Sequence, residues 1–442
     1  MPNPPPPPWR GGSFCTTMST LQSLSGDRIA EQATERHEPS WLVHKRLEAF
    51  AALQRLPLPE SRYTKIRGLD LNAFDLDKQN PKGAPMSEFA TEREAVHVQI
   101  DSKVLTTQVP EPVRHKGIIF CDLATAVREY PDLVRQYLFG LVSPQEDKMT
   151  ALVGALARTG IFIYIPKETV LEEPLRLVYL LDEPSVAALT HQLIVVEAGS
   201  SVTVLEEAYA KHPHGVGPHL HGAITEIYLG DGAQMKFGAL QNWNEETFSF
   251  VRRRAHVGRD AKLHWTIGWL GGRLTMSHVE SRLIGPGAEM EDIQVLFGRH
   301  KQHFDLTSAL HNMAPHVKGE IHMKAVMKDQ SRSVMYGFIK VDPVAQQSNS
   351  YQLAQALLLN DGAHCDAIPG LEIEANDVRA THGASIGPID EEQIFYLQSR
   401  GLDREQAKRT IVEGFLTPTL EQIPIAGVRE RFHAFVEQKW NE

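Results

Sequence analysis

A four-residue pattern recurs through the middle of the chain and constrains its fold more than any other feature. Its first four copies lie roughly 30 residues apart, and each joins two runs typical of β-strands: Gly199–Val202, Gly230–Ala233, Gly258–Ala261 and Gly285–Ala288. A fifth copy, Asn360–Ala363, follows after a longer interval. One coil of this length cannot bury its apolar face alone, whereas stacked coils bury a continuous core. The repeat therefore predicts a β-solenoid over residues 161–388.

Small and apolar side chains alternate after each copy of the pattern. Examples are the pairs Val202 and Val204, Met235 and Phe237, Leu263 and Trp265, Ala288 and Met290, and Cys365 and Ala367. Side chains two residues apart share one face of a strand, so these are predicted to line the interior. Glycine or asparagine at the first position suits a corner with positive φ. The alternative is a β-sandwich, which needs hairpin-linked strands every 8–12 residues or so.

Helical periodicity flanks this region on both sides. Apolar spacing predicts helix over residues 27–57 and again over about 121–160, where Cys121 is predicted to lie in a helical core. After the solenoid, Asp390 and Asp403 are predicted to cap two helices, the second ending before Pro418, and a third helix runs from about residue 426. The predicted organisation is a proline-rich tail (1–26), a mostly helical region (27–160), the solenoid (161–388) and a helical region (389–442).

The N-terminal segment carries five consecutive prolines, Pro4–Pro8, and no apolar stretch typical of a secretory signal. We expect residues 1–26 to be a disordered tail, and Met18 is an alternative start of the chain. An organellar targeting segment is the other interpretation, although residues 1–26 contain a single arginine.

Composition excludes several classes of function. The formal net charge is -10 with a pI near 6.1, which argues against nucleic-acid binding. No apolar run is long enough to span a membrane. The three cysteines are far apart in sequence, which argues against a disulfide framework and favours the reducing cytoplasm. No phosphate-binding loop or nucleophile elbow is present, so we expect no catalytic activity of the chain's own.

Histidines cluster in a short segment that includes His212, His214, His219 and His221, with Glu226 following. The spacing of His219, His221 and Glu226 is similar to the first metal motif of cupins, which predicts, as an alternative function, a metal-dependent enzyme. The prolines and glycines around these histidines instead favour a solvated, mobile loop without a role in catalysis.

Two further residues are candidates for chemistry near the end of the solenoid. His382 shares its parity with Val378 and Ala380, so it is predicted to point inward at the last coil. It is either a hydrogen-bonded cap on the core or a ligand. Cys365 is either a small buried apolar residue or a weak metal ligand.

Several motifs in the last third of the chain resemble the SufB/SufD family of the SUF iron–sulfur cluster assembly system. The main landmarks are Gly337–Val341, Pro369–Ile373, His382–Ala384, Gln393–Tyr396 and Ser399–Gly401. The resemblance covers about residues 38–417. It implies a mainly β fold, a right-handed parallel β-helix flanked by helical regions at both ends. It also implies a non-ATPase scaffold that pairs with a SufB-like subunit and a SufC-like ATPase to assemble nascent clusters and support iron acquisition.

The resemblance also assigns residues. It places docking of the SufC-like ATPase on the C-terminal helices, with Phe395, Tyr396, Arg400, Gly401 and Phe415 as candidate contacts. It implies a transient iron–sulfur cluster or iron shared with the SufB-like subunit and none tightly bound to the isolated chain. A homodimer of the isolated chain is left open.

Particular positions are similar to the SufD-type branch of the family. Ala363 stands where SufB-type chains have the cluster-building cysteine, and Gly383 stands where they have glutamate. His382 matches the proposed cluster ligand of SufD-type chains at the SufB interface. Many of those chains have cysteine two residues earlier, whereas this chain has Ala380, so no thiolate is expected there. Cys365, His219 and His221 remain weaker metal-ligand candidates.

Overall fold

The computed structural model describes residues 21–76, 94–211, 217–421 and 426–441. The protein is mainly β, a parallel β-solenoid of about eight turns with helices at both ends. The predicted fold class is therefore confirmed. No helix among these residues is long and apolar enough to cross a membrane. The expected tail lies mostly outside them, but a short 3-10 helix at Leu21–Ser23 falls within its predicted range.

The strands of the described residues form two sheets, and successive coils add one strand to each. Sheet I contains β1 (Val96–Ile100), β2 (Lys103–Gln108), β5 (Leu175–Leu181), β7 (Ser201–Ala210), β9 (Gln234–Asn242), β11 (Lys262–Trp269), β13 (Glu289–Gly298), β15 (Lys318–Met327), β17 (Asn349–Leu358) and β19 (Arg379–Pro388). Sheet II contains β3 (Ile119–Asp122), β4 (Thr159–Ile165), β6 (Ala187–Val196), β8 (His219–Leu229), β10 (Thr247–Val257), β12 (Leu274–Leu283), β14 (His303–Asn312), β16 (Arg332–Val341) and β18 (His364–Ile373).

Strand pairing is parallel except at the N-terminal end. There β2 pairs antiparallel with β1, and β3 pairs antiparallel with β4. From β5 onwards the described strands of each sheet pair in parallel register with the strand one coil earlier. Strand β1 is already part of this stack, because it pairs in parallel with β5. The solenoid thus begins within the region that the sequence predicted to be mostly helical.

The repeated tetrads form corners, and the predicted positive φ at the first residue is found in one copy, at Gly199 (φ +69°). In the next three copies the positive φ falls on the third residue, at Gly232, Asp260 and Gly287. The first-position glycines of these three copies are required by close approach of neighbouring coils. A Cβ on Gly230 would lie 2.7 Å from the backbone nitrogen of Ala198.

The fifth tetrad, Asn360–Ala363, does not belong to the same series. The first four copies precede strands of sheet I, whereas this copy precedes β18 of sheet II. It lies at the opposite corner of its coil. Both corners need tight turns, so the same residue types recur at each.

The interior of the solenoid is filled by the alternating residues that the sequence singled out. Val204, Phe237, Leu263, Trp265 and Met290 are all buried in one continuous cluster. The indole of Trp265 donates to Ser281 Oγ at 2.9 Å, so its polar edge is satisfied inside the core. The inward alternation is therefore confirmed.

Among the residues that the structure describes, six α-helices precede or interrupt the early strands: α1 (Gly26–Glu35), α2 (Ser40–Arg55), α3 (Glu111–Arg114), α4 (Leu123–Glu129), α5 (Pro131–Tyr137) and α6 (Lys148–Leu156). Buried residues of α1, α2 and α6 pack on the outer face of sheet II against Ile224 and Phe248. The stretch predicted to be helical at 121–160 is thus three short helices between two strands. Cys121 lies in β3, not in a helix, and is half-buried.

In the described part of the chain after the solenoid there are three helices, α7 (Glu391–Ser399), α8 (Arg404–Glu421) and α9 (Ala426–Asn441). They pack on the outer face of sheet I, where Val412, Leu416 and Phe432 join a cluster with Ile293 and Phe297. Helix α8 continues past Pro418, where the sequence predicted its end. Burial of Leu416 and Leu420 on the two sides of the proline offsets the lost backbone hydrogen bond.

Candidate functional site at the open end of the solenoid

The last coil of the solenoid has no neighbour on its outer side among the described residues. Strands β18 and β19 are the terminal strands of sheets II and I. Inward-facing residues of earlier coils are buried, but Ile373 of β18 and Ile386 of β19 are 43% and 40% exposed. An exposed apolar surface at two unpaired strand edges is typical of an interaction site.

His382 lies in the middle of β19 at this open end. Its partner in register is Gln352, a buried inward-facing residue of β17, so His382 has the inward register that its parity predicted. It is nevertheless exposed, because no further coil covers it. Its imidazole has no hydrogen bond to another described residue, so a hydrogen-bonded cap on the core is not what the structure contains. The ring nitrogens are accessible to a ligand.

Cys365 lies on the inner face of the same coil, at the start of β18. Its neighbour in register is Ser333, and its side chain is buried. Burial raises the pKa of the Cys365 thiol to about 11, and the nearby Asp366 carboxylate adds to the rise. The thiol is therefore protonated at neutral pH, which suits a core residue better than a metal ligand. Ala380, the position without a cysteine, lies two residues before His382 on the same strand.

The candidate docking residues divide into exposed and packed groups. Phe395 and Tyr396 of α7 are 73% and 56% exposed. Arg400 stacks on the Tyr396 ring at 5.1 Å, and Gly401 ends the helix with φ +99°. Phe415 differs from these residues, because it is half-buried against sheet I and lies 4.8 Å from Lys324 Nζ.

The predicted cupin-like cluster does not form. His219 and His221 begin strand β8 and are buried, so they are not part of a mobile loop. They face the interior, where His221 Nδ1 contacts Ser249 Oγ at 2.9 Å. Glu226 has the opposite parity on β8 and faces the N-terminal helices. The residues cannot converge on one metal ion, and His212 and His214 lie outside the described residues.

Glu226 has a structural role that the sequence did not reveal. Its buried carboxylate accepts hydrogen bonds from the backbone N–H groups of Phe139, Leu141 and Val142 at 2.6–2.9 Å. Its Oε2 also lies 2.8 Å from His191 Nε2. The three backbone groups lie more than 80 residues from Glu226 in the chain, so no local sequence pattern could have indicated these contacts. The contact fixes the segment between α5 and α6 on sheet II.

The exposed isoleucines at the open end were also missed by sequence reasoning. Ile373 and Ile386 read as ordinary alternating strand residues. Their position in the last coil becomes clear only from the strand order of the structure, in which β18 and β19 are terminal. A repeat alignment extended to the final strand could have found them.

Comparisons with known proteins match both the solenoid and the region that precedes it. A family model described as the SufBD core domain of the SUF iron–sulfur cluster assembly system matches residues 179–415, and one for the SufBD N-terminal region matches residues 88–177. The chain is 32% identical to the iron–sulfur cluster assembly protein SufD of Bacillus subtilis, over 96% of this chain and 99% of that protein. It is 30% identical to a SufBD family protein of Pyrococcus horikoshii, over 94% and 96% of the two chains. The chain therefore belongs to the SufBD family of iron–sulfur cluster assembly proteins.

Proposed function

We propose that this chain is a non-ATPase scaffold subunit that pairs with a SufB-like subunit through the open end of its solenoid. The observation that carries the proposal is the bare last coil, with strand edges at β18 and β19 and exposed Ile373 and Ile386. A monomer with such an end is prone to unwanted pairing. A dedicated partner strand would satisfy the edge hydrogen bonds and cover the two isoleucines.

The same end of the solenoid allows a homodimer of the isolated chain. Two copies meeting at β18 and β19 would bury both open ends in a self-complementary contact. Replacing Ile386 by Asp puts a charge into that contact. We expect Ile386→Asp to weaken both self-association and co-purification with a SufB-like subunit, measured by light scattering and pull-down. Ile284→Asp, a 44% exposed control elsewhere on the solenoid, should leave both unchanged.

His382 is proposed as a ligand for the cargo of this complex, a nascent iron–sulfur cluster or iron shared with the SufB-like subunit. A neutral imidazole can bind iron while a partner supplies thiolate. The exposure of His382 beside the proposed interface supports this role, whereas the raised thiol pKa of Cys365 does not favour that residue. We expect the isolated chain to hold no cluster tightly, because it offers this site one accessible ligand.

The test of this role replaces His382 by Ala in the co-expressed three-subunit complex. The complex should still form, and the yield of cluster, followed by absorption and bound iron and sulfide, should fall severalfold. The matched control is His364→Ala, an exposed histidine of β18 on the outer face, where it contacts Asp366 at 3.1 Å. Equal cluster yield in His382→Ala and His364→Ala would contradict the role.

The C-terminal helices are proposed to recruit a SufC-like ATPase. The exposed pair Phe395 and Tyr396, with Arg400 stacked on the tyrosine, provides the aromatic and arginine anchors that dominate protein interfaces. Phe415 would act indirectly by holding α8 on sheet I. No large apolar side chain of α8 is comparably exposed, and the buried residues of that helix face the solenoid.

Docking is tested with Phe395→Asp, which should reduce retention of the ATPase in a pull-down at least about tenfold. The control is Tyr63→Asp, another exposed aromatic residue, in the segment of the chain between α2 and β1. Retention of the ATPase by Phe395→Asp at the level of Tyr63→Asp would refute the docking site. Truncation at Gly387 should abolish retention, but it also exposes the apolar face of sheet I.

The cytoplasm is the proposed location of this function. Both cysteines of the described residues, Cys121 and Cys365, are free, and neither is in a disulfide. Free thiols are typical of proteins in a reducing compartment. Fractionation of cells producing the tagged full-length chain would test this location, and recovery in a membrane or organelle fraction would contradict it.

A further inference from the structure

A mixed cluster of carboxylates and imidazole lies on the outer face of sheet I, away from the open end's inner surface. Glu291 of β13 and Glu320 of β15 are paired in register on neighbouring coils. His322 lies two residues after Glu320 on the same face and contacts it at 3.1 Å. One ligand atom from each of these three residues lies within 4.8 Å of the other two.

Residues that pair in register on successive coils form a column across sheet I. The charges in the column of Glu291 and Glu320 differ from those in the column beside it. Two residues earlier on the same face, Lys262, Glu289 and Lys318 follow one another on successive coils, so opposite charges alternate. Lys262 and Glu289 form an ion pair at 3.2 Å. In the next column Glu291 and Glu320 place like charges directly beside each other, an arrangement that destabilises a sheet. A bound cation would remove this repulsion.

The surrounding residues hold the three side chains in place. His264 Nδ1 lies 3.0 Å from Glu291 Oε2, and this hydrogen bond is the main cause of the lowered Glu291 pKa. The His322 ring contacts the Tyr351 ring with a centroid distance of 5.9 Å. The Glu320 side chain is 57% exposed and that of Glu291 is 30% exposed, so an ion could enter from solvent.

We propose that Glu291, Glu320 and His322 bind a divalent first-row transition-metal ion on the outer face of sheet I. Two carboxylates and one imidazole suit zinc, ferrous iron or manganese better than calcium or cuprous copper. His264 is a positioning residue, because its hydrogen bond orients the Glu291 carboxylate. Water completes the coordination on the exposed side.

The present geometry requires only a small adjustment for binding. Ligand atoms at about 2.1 Å from an ion lie roughly 3.5 Å from one another. Rotation of the exposed Glu320 side chain towards Glu291 closes the remaining gap, and the two strands need not move. The rigid register of β13 and β15 therefore presents the site in advance.

The experiment uses the tag-free full chain after chelator treatment, titrated with Co²⁺ by visible absorption and with Zn²⁺ by calorimetry. We expect one binding event to weaken at least about tenfold in Glu320→Gln and in His322→Ala. Other histidines contribute equally to every variant, so the difference between proteins measures this site. Glu320 is exposed, and its replacement by Gln should leave the circular dichroism spectrum unchanged.

Two controls make the result decisive. Glu289→Gln removes a carboxylate from the neighbouring column and should retain the binding event, as should His382→Ala, which tests the separate site at the open end. Unchanged affinity in the Glu320→Gln/His322→Ala double variant would overturn the metal site. Equal losses in Glu289→Gln and Glu320→Gln would also overturn it, because they would indicate general surface charge.

Discussion

The buried carboxylate of Glu226 allows a quantitative test of how the N-terminal region is held on the solenoid. Its Oε1 accepts from the N–H groups of Leu141 and Val142 at 2.6 and 2.9 Å. Its Oε2 accepts from Phe139 N–H at 2.8 Å and faces His191. Glu226→Gln keeps the shape but supplies an amide nitrogen in place of one oxygen. At least one buried N–H group then loses its acceptor.

The expected cost follows from these contacts. One unsatisfied buried donor costs about 1–3 kcal/mol, and the surviving hydrogen bonds lose the strength that the charge gives them. We expect Glu226→Gln to lower the free energy of unfolding by about 2–4 kcal/mol. Glu226→Ala leaves all three N–H groups unsatisfied and should cost more.

The assay combines urea unfolding with hydrogen exchange of residues 138–142. The backbone amides of Phe139, Leu141 and Val142 should be protected in the unmodified protein and should exchange faster in Glu226→Gln. The control is Tyr228→Phe on the same face of β8, which removes only the Tyr228 hydroxyl donation to Tyr137 O and should cost about 1 kcal/mol. A cost for Glu226→Gln no larger than that of Tyr228→Phe, with unchanged exchange at 138–142, would refute the reasoning.

Three further predictions concern the core and its corners. Burial raises the pKa of Asp292 to about 6, above its unfolded value, so the folded state loses about 3 kcal/mol as pH rises from 4 to above 6. Asp292→Asn should therefore gain stability relative to the unmodified protein over that range, and a pH-independent difference in urea unfolding would contradict this. Burial lowers the pKa of His221 to about 3, so stability should fall as pH drops below about 6.5, by about 2 kcal/mol at pH 5. His221→Gln should remove this part of the acid sensitivity, and an unchanged acid limb would argue against it. Gly285→Ala places a Cβ on the backbone of the neighbouring coil and should cost about 1–3 kcal/mol, whereas Gly387→Ala meets open space and should cost less in thermal unfolding; equal costs would show that steric overlap is not the cause.

The solenoid could be predicted because the sequence pattern that specifies it is local and repeats along the chain. Alternation such as Leu263 and Trp265 after a glycine corner specifies an inward face, and the structure confirms it. The positive φ predicted for the first position is found at Gly199, but the reason for Gly230, Gly258 and Gly285 could not be predicted, because contact between coils depends on three-dimensional distances. The phase of Asn360–Ala363 was wrong for a related reason, since both corners of a coil use the same residue types.

For the candidate site as well, local features could be predicted, whereas features that depend on distant residues could not. The parity of His382 agrees with the register of β19, but its exposure depends on where the stack of coils ends. The adjacent prolines and glycines indicate local flexibility, and for that reason a loop was predicted around His219 and His221. The prediction was wrong, because both residues lie in β8. Parallel pairing of β8 with β6 and β10 overrides that preference from the first residue of the strand. Such pairing partners are distant in sequence.

The antiparallel strands at the beginning of the solenoid give the molecule a direction. Strands β2 and β3 reverse the pairing at that end, where α4 and α5 also lie close to β3, whereas the last coil ends in two parallel edges. The two ends of the solenoid therefore differ in kind, since the strands at one end are antiparallel and those at the other are parallel. On the pairing proposed above, two molecules that met at their last coils would cover each other's parallel edges. A contact of this self-complementary kind closes on itself and gives a pair, not a filament.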